Sequence, residues 1–214
     1  MISKDELLKF VSSRSWYQTI RFEDDVVAHG PAWCGDPAWD HIKQFLPESL
    51  DGMRILDLGC NAGIFCVRAC EMGAKEVVGI DYTGWRPNWD FEEQQVFVKS
   101  YFEQKHEREL PIKFISGKMS EVLSTQDIGH FDYVLGIASL YYSFNNKLLV
   151  QSIYDTCDNA ILRLRDENRI KAFTTLFEQV GYKRVKEWQE KWWEILGRPN
   201  VDDFWLFLYE KEKL

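Results

Sequence analysis

Short apolar runs alternate with longer amphipathic stretches along most of the chain, and the two periods assign them to strands and helices. Strands are predicted over Arg54 to Leu58, Glu76 to Asp81, Ile112 to Ser116, Phe131 to Ile137, Asn159 to Leu164, Tyr182 to Trp188 and Phe204 to Glu210. The first of these carries Ile55-Leu56-Asp57-Leu58, nearly all apolar, as suits a strand buried on both faces. Helices are predicted over Lys4 to Ser12, Pro37 to Phe45, Gly63 to Met72, Trp89 to Glu107, Met119 to Ser124, Asn146 to Asp155 and Glu167 to Val180. Pro37 suits a first helical turn with Asp36 as its cap, and Gly181 suits a C-terminal cap. Val26 to Asp36, Tyr82 to Asn88 and Lys191 to Asp203 read as irregular, the character of many functional loops. The alternation predicts an α/β fold: an open, mostly parallel seven-stranded sheet with helices on both faces. We expect one domain over residues 1–214, with 1–50 as an N-terminal helical lid on a Rossmann-like core at 51–214.

Composition narrows this picture. With 45% hydrophobic residues in 214, the chain can bury one sizeable core. No apolar run reaches the length of a membrane span, and the opening MISKDELLKFVSSRSW has acids where a signal peptide would be apolar, so a cytoplasmic protein with no membrane partner is expected. The net charge of −8 argues against a broad nucleic-acid surface, because backbone binding depends on neutralising phosphates. Cys34, Cys60, Cys66, Cys70 and Cys157 form a scattered, odd set that predicts no disulfide framework. Cys66 and Cys70 would share a helical face, but packing on the sheet explains them better than a metal does, and no metal is expected.

Candidate chemistry concentrates where the first strand runs into Gly59-Cys60-Asn61-Ala62-Gly63 and a helix. A glycine turn at a helix N-terminus lets backbone N–H groups face a ligand. A dinucleotide fingerprint would place glycines at 59, 61 and 64, where the chain has Gly59, Asn61 and Ile64. The other register, Asp57-x-Gly59-x-Asn61-x-Gly63, resembles the D/E-x-G-x-G-x-G motif of class I S-adenosylmethionine-dependent methyltransferases. Asparagine replaces the central glycine, and it is the residue that best tolerates positive φ. Asp81 ends the second strand, where an acid can accept hydrogen bonds from a ribose.

The resemblance implies S-adenosylmethionine as cofactor and a set of contacts to it. Asp57 would orient the methionine amino group, with Gly59, Cys60, Asn61 and Gly63 passing along the methionine and ribose. Asp81 would bind the ribose, with Tyr82 or Thr83 beside the adenine. Lys118 stands where many relatives carry an acid, so adenine contacts fall to that backbone and to Met119, and Gly136 lies at the end of the fourth strand.

On the acceptor side, Gly136-Ile137-Ala138-Ser139-Leu140-Tyr141-Tyr142 follows the fourth strand, beside the methyl group in this class. It lacks the N/D-P-P-Y/F of amino-methylating DNA enzymes. Tyr141 and Tyr142 are candidates to shape the acceptor pocket or accept a proton, and His29 is a further acid–base candidate. The segment Trp16-Tyr17-Gln18-Thr19-Ile20, Trp39-Asp40 and Leu140-Tyr141-Tyr142 resemble the tRNA wobble-uridine methyltransferase and carboxymethyltransferase group and its small relatives. Trp16, Tyr17 and Trp33 are candidate acceptor walls. Arg163 and Arg165, alternating near the end of the fifth strand, either clamp an anionic acceptor or pair with Asp166 and Glu167 at the surface.

These readings predict S-adenosylmethionine-dependent methyl transfer to oxygen or nitrogen of a small-molecule acceptor. The alternatives are a tRNA wobble-uridine methyltransferase, with Arg14, Arg21, Arg184 and Lys186 adding to a basic surface, and a non-catalytic S-adenosylmethionine-binding partner protein.

Overall fold

The computed structural model describes residues 2–31, 34–82, 91–143, 146–191 and 204–212. Helix α1 (Lys4–Ser12) opens on a capping box in which Ser3 and Glu6 each accept the other's backbone N–H. A ribbon of β1 (Ile20–Arg21) and β2 (Val27–Ala28) follows, then α2 (Asp36–Ile42). The core comprises β3 (Arg54–Leu58), α3 (Ile64–Glu71), β4 (Glu76–Asp81), α4 (Phe91–His106), β5 (Ile112–Ser116), α5 (Met119–Thr125) and β6 (Phe131–Ile137). It continues through α6 (Asn146–Thr156), β7 (Cys157–Arg165), α7 (Glu167–Gln179), β8 (Tyr182–Glu190) and β9 (Phe204–Lys211).

Strands β3 to β9 form one seven-stranded sheet in the order β5-β4-β3-β6-β7-β9-β8. Strands β3 to β7 pair in parallel, and β9 is antiparallel to both β7 and β8. The expected open, mostly parallel sheet is therefore present. Alternate side chains feed two cores. Ile55, Val77, Leu135 and Ile161 pack under α2, α3 and α4, while Leu56, Val78, Val134 and Leu162 pack under α5, α6 and α7. The strand order reverses at β3, between β4 and β6, and in such sheets ligands bind in the crevice outside the carboxyl ends at that point.

Local corrections have physical causes. Asp36 is not the cap of α2 but its first residue; Gly35, at φ +79°, takes the cap, since a Cβ there would lie 2.2 Å from the Thr19 carbonyl oxygen. The Asp36 carboxylate instead accepts from the Arg21 N–H (2.7 Å) and from Arg68 Nε (2.8 Å), tying β1 to α3. The segment Lys43–Phe45 tightens into a 3₁₀ turn. The region expected to be irregular from Val26 to Asp36 contains β2. The N-terminal helix packs sideways: Phe10 stacks on Phe97 of α4 with ring centroids 3.6 Å apart. No described helix is long and apolar enough to cross a membrane.

Candidate active site

The turn after β3 owes its shape to three residues in the left-handed region: Gly59 (φ +79°), Asn61 (φ +50°) and Gly63 (φ +84°). Asparagine at the centre therefore occupies the conformation its side chain tolerates best. The glycines are required by protein packing as much as by any ligand. A Cβ on Gly59 would stand 2.4 Å from Ser139 Cβ, and one on Gly63 would stand 2.6 Å from the Phe114 ring.

The turn is held from four directions. The N–H groups of Gly59 and Cys60 donate to the Ile80 carbonyl at 2.8 and 3.2 Å. Asp81 accepts from the Asn61 N–H at 2.7 Å through Oδ2 and from the Tyr82 N–H at 2.6 Å through Oδ1. Gln18 donates to the Cys60 carbonyl (3.2 Å), and its Oε1 accepts from the Ile64 N–H (3.4 Å). Gln95 of α4 donates to the Asn61 carbonyl at 2.7 Å. Ser139 donates its hydroxyl to the Leu58 carbonyl from the loop after β6.

Above the turn lies a cavity of about 310 Å³, lined by Gly59, Asn61 and Asp81, by Phe91 and Met119, by Ile137, Ala138, Ser139 and Tyr142, and by Tyr17. It sits at the switch point between β3 and β6. A smaller adjoining recess is lined by Asp81, Tyr82, Lys118, Met119 and Tyr142. Lys118 pairs with Glu121 at 2.9 Å.

Two acids give the site its electrostatic character. Asp57, 1% exposed, lies below the turn, and burial pushes its carboxyl up to about 7. Its Oδ2 accepts from the Cys66 thiol at 3.4 Å, while its buried Oδ1 has no hydrogen-bond partner among the described residues. Burial likewise raises Asp81, opposed by the N–H bonds from Asn61 and Tyr82. The Asn61 side-chain oxygen is also buried without a partner among the described residues. These acceptors fit a donor that carries an ammonium group and a ribose diol.

The structure sorts the remaining candidates. Gly59, Asn61, Asp81, Met119, Tyr142 and Tyr17 meet at the main cavity, and Tyr82 and Lys118 at its recess. Cys60 and Gly63 are buried within the turn, and Gly136 is buried in β6 against Leu140. Tyr141 turns toward α7, with the Arg169 guanidinium 4.1 Å over its ring and that of Arg165 at 5.9 Å. Burial raises the Tyr141 phenol and pushes Tyr17 up to about 12, so neither is poised to ionise near neutral pH.

Three candidates lie elsewhere. Trp16 is in the core, donating Nε1 to the Val11 carbonyl at 3.0 Å. His29 is exposed on a separate groove beside Val27 and Trp16. Arg163 is 1% exposed and pairs with Glu190 at 2.6 Å, not with Asp166 or Glu167 at the surface. Glu190 in turn holds His41 Nδ1 at 2.8 Å. Trp33 and Thr83 lie outside the described residues. No group of His, Cys, Asp or Glu suited to a metal occurs among the described residues, and Cys66 and Cys70 are buried free thiols.

Comparison with known proteins agrees with this geometry. A family model described as "Methyltransferase domain" matches residues 32–192. A tRNA U34 carboxymethyltransferase of Alcanivorax borkumensis is 34% identical over 110 residues, which cover 51% of this chain and 30% of that protein. The match thus spans about three tenths of that relative's length. Among solved structures, an S-adenosylmethionine-dependent methyltransferase from Mesorhizobium loti aligns with TM-score 0.60 and 16% identity over 81% of this chain and 97% of that one. The N-terminal domain of EvdMO1, solved with SAH and D-fucose, aligns with TM-score 0.66 and 13% identity over 100% and 98% of the two chains. The chain belongs to the methyltransferase domain family and has the fold of a class I S-adenosylmethionine-dependent methyltransferase.

Proposed function

We propose that residues 1–214 act as one methyltransferase domain that binds S-adenosylmethionine in the 310 Å³ cavity and methylates oxygen or nitrogen of a small-molecule acceptor. The cofactor supplies an electrophilic methyl group, so the protein's task is chiefly alignment. Asp81 takes the ribose while its carboxylate keeps Asn61 in place, and Asp57 faces the ammonium group. Met119 and Phe91 offer apolar contact to the adenine. Tyr17 and Tyr142 flank the acceptor on the open side. The observation that carries this reading is the pairing of a buried carboxylate, Asp57, and a half-buried one, Asp81, with a left-handed turn at the switch point.

A small acceptor agrees with the charge of −8 and with the state of the basic residues. Arg14, Arg163 and Arg184 are each engaged by a carboxylate, of Glu93, Glu190 and Glu187 respectively. A cytoplasmic location suits this reading. Calorimetric titration with S-adenosylmethionine tests the donor assignment: micromolar affinity, on the order of common enzyme KM values, is expected for the wild type. Undiminished affinity in Asp81→Ala would overturn it.

The names of the curated relatives favour a second reading, methylation or carboxymethylation of a tRNA wobble uridine. It requires salt-sensitive tRNA binding. Gel-shift titration at low salt decides between the two, since retarded tRNA supports the second reading and unretarded tRNA removes it.

A further inference from the structure

Asp57 is held by sulfur. Beneath the turn, Cys60, Cys66 and Asp57 are buried at 0%, 0% and 1% exposure. The Cys66 thiol on α3 donates to Asp57 Oδ2 at 3.4 Å. Cys60 packs beside it: a Cβ on Gly79 of β4 would lie 2.8 Å from Cys60 Sγ and 3.0 Å from Cys66 Sγ, so the two sulfurs fill the space above that glycine. Gln95 closes the cluster from α4, donating to Cys60 Sγ at 3.6 Å while it also holds the Asn61 carbonyl. One oxygen of the carboxylate is thus committed to a thiol, and Oδ1 is left for a ligand.

We propose that Cys66 is a positioning residue for cofactor binding: its thiol fixes the Asp57 carboxylate so that Oδ1 meets the ammonium group of S-adenosylmethionine, and helps set the pH above which that carboxylate is ionised. The inference rests on reading the cavity as the donor site. A thiol is a small, weak donor that fits a space where a larger polar group would not, and its bond favours the charged form of the acid. Among the described residues, the other titratable groups facing Asp57 oppose its ionisation or leave it unaided. Asp81 on β4 repels the charge, while Cys60 in the turn and Cys34 before α2 are neutral thiols raised by burial. The cluster therefore offers Cys66 as the group that offsets burial.

The test begins with ligand-free protein. The Asp57 carboxyl carbon is titrated by NMR in wild type, Cys66→Val, which keeps the volume without the donor, and Cys66→Ser, which keeps a hydroxyl donor. Cys66→Val should move the Asp57 midpoint up by roughly half to one pH unit, the size of one neutral hydrogen bond, and Cys66→Ser should hold it near or below the wild-type value. Calorimetric binding of S-adenosylhomocysteine across pH should follow the same order. An unmoved midpoint in folded Cys66→Val overturns the role of Cys66. A midpoint that moves while S-adenosylhomocysteine binding shows no parallel shift overturns the placement of the donor's ammonium group at Asp57 instead.

Discussion

Asn61 donates its backbone N–H to Asp81 Oδ2 at 2.7 Å, so the acid that would hold the ribose also fixes the centre of the turn that faces it. The other oxygen of Asp81 accepts from Tyr82. A single carboxylate thereby ties the turn after β3 to the end of β4.

Replacing Asp81 should act on the turn and the donor together. Asp81→Asn keeps one acceptor oxygen, whereas Asp81→Ala removes both. The oxygen that asparagine retains makes a neutral hydrogen bond, which contributes about 0.5–1.5 kcal/mol, so Asp81→Ala should weaken donor binding roughly two- to tenfold more than Asp81→Asn does. Calorimetry on the two variants measures this. Equal affinities would mean that Asp81 does not shape the turn.

The raised carboxyl of Asp57 predicts a pH-dependent stability. Its folded-state value, about 7, exceeds the ordinary value of 3.8, so the native state binds the extra proton. Stability from this group is full below about pH 4 and is lost as pH rises through about 7. Asp81, raised for the same reason, adds the same sign. Ligand-free Asp57→Asn should therefore melt above wild type at pH 8, and the gap should narrow at pH 5. Parallel melting curves at both pH values would count against a buried Asp57 that titrates in this range.

Much of this arrangement was legible in the residues. The nearly all-apolar run from Ile55 to Leu58 placed β3, and Asn61 in the second glycine's place foretold a positive φ. The supports of the turn were not legible. Gln95 sits on a long amphipathic helix and reads as one more polar surface position, yet it is buried against Asn61. Gln18 lies between Tyr17 and Thr19 in a segment whose aromatic residues stand out as candidate acceptor walls, yet Trp16 is core and Gln18 is the residue that bonds the turn. For Arg163 the sequence leaves a ligand clamp and a surface pair with Asp166 or Glu167 both open, because strand periodicity gives a side chain's face, not its partner. Its partner, Glu190, comes from β8 and was invisible to local pattern.

The Arg163–Glu190 pair should behave as a buried ion pair. At 1% and 0% side-chain exposure, each charge depends on the other, and Glu190 also holds His41. Glu190→Leu should cost about 3–5 kcal/mol, because it takes the carboxylate away from a buried guanidinium. The double variant Arg163→Met, Glu190→Leu should recover most of that loss. Urea unfolding of the single and double variants measures the difference. If the double variant is as unstable as the single, the pair has a packing role that hydrophobic side chains cannot replace.

The glycines of the turn can be separated from glycines that need only a positive φ. Gly52, at φ +76°, has nothing within 4 Å of where a Cβ would stand. Gly52→Ala should therefore cost only the left-handed conformation, roughly 1 kcal/mol. Gly59 has a similar φ of +79°, but its Cβ would meet Ser139 Cβ at 2.4 Å. Ser139 cannot easily yield, since its hydroxyl is bound to the Leu58 carbonyl and Ala138 before it, at φ +55°, is tied to the Arg163 carbonyl at 2.9 Å. Gly59→Ala should thus exceed Gly52→Ala in destabilisation by about 1–3 kcal/mol, the usual range for overpacking. It should also weaken donor binding, because relief requires the two loops lining the cavity to part. Urea unfolding gives the first quantity and calorimetry the second. Equal unfolding costs for the two variants would show that the approach of Gly59 to Ser139 is soft, and the cavity floor adjustable.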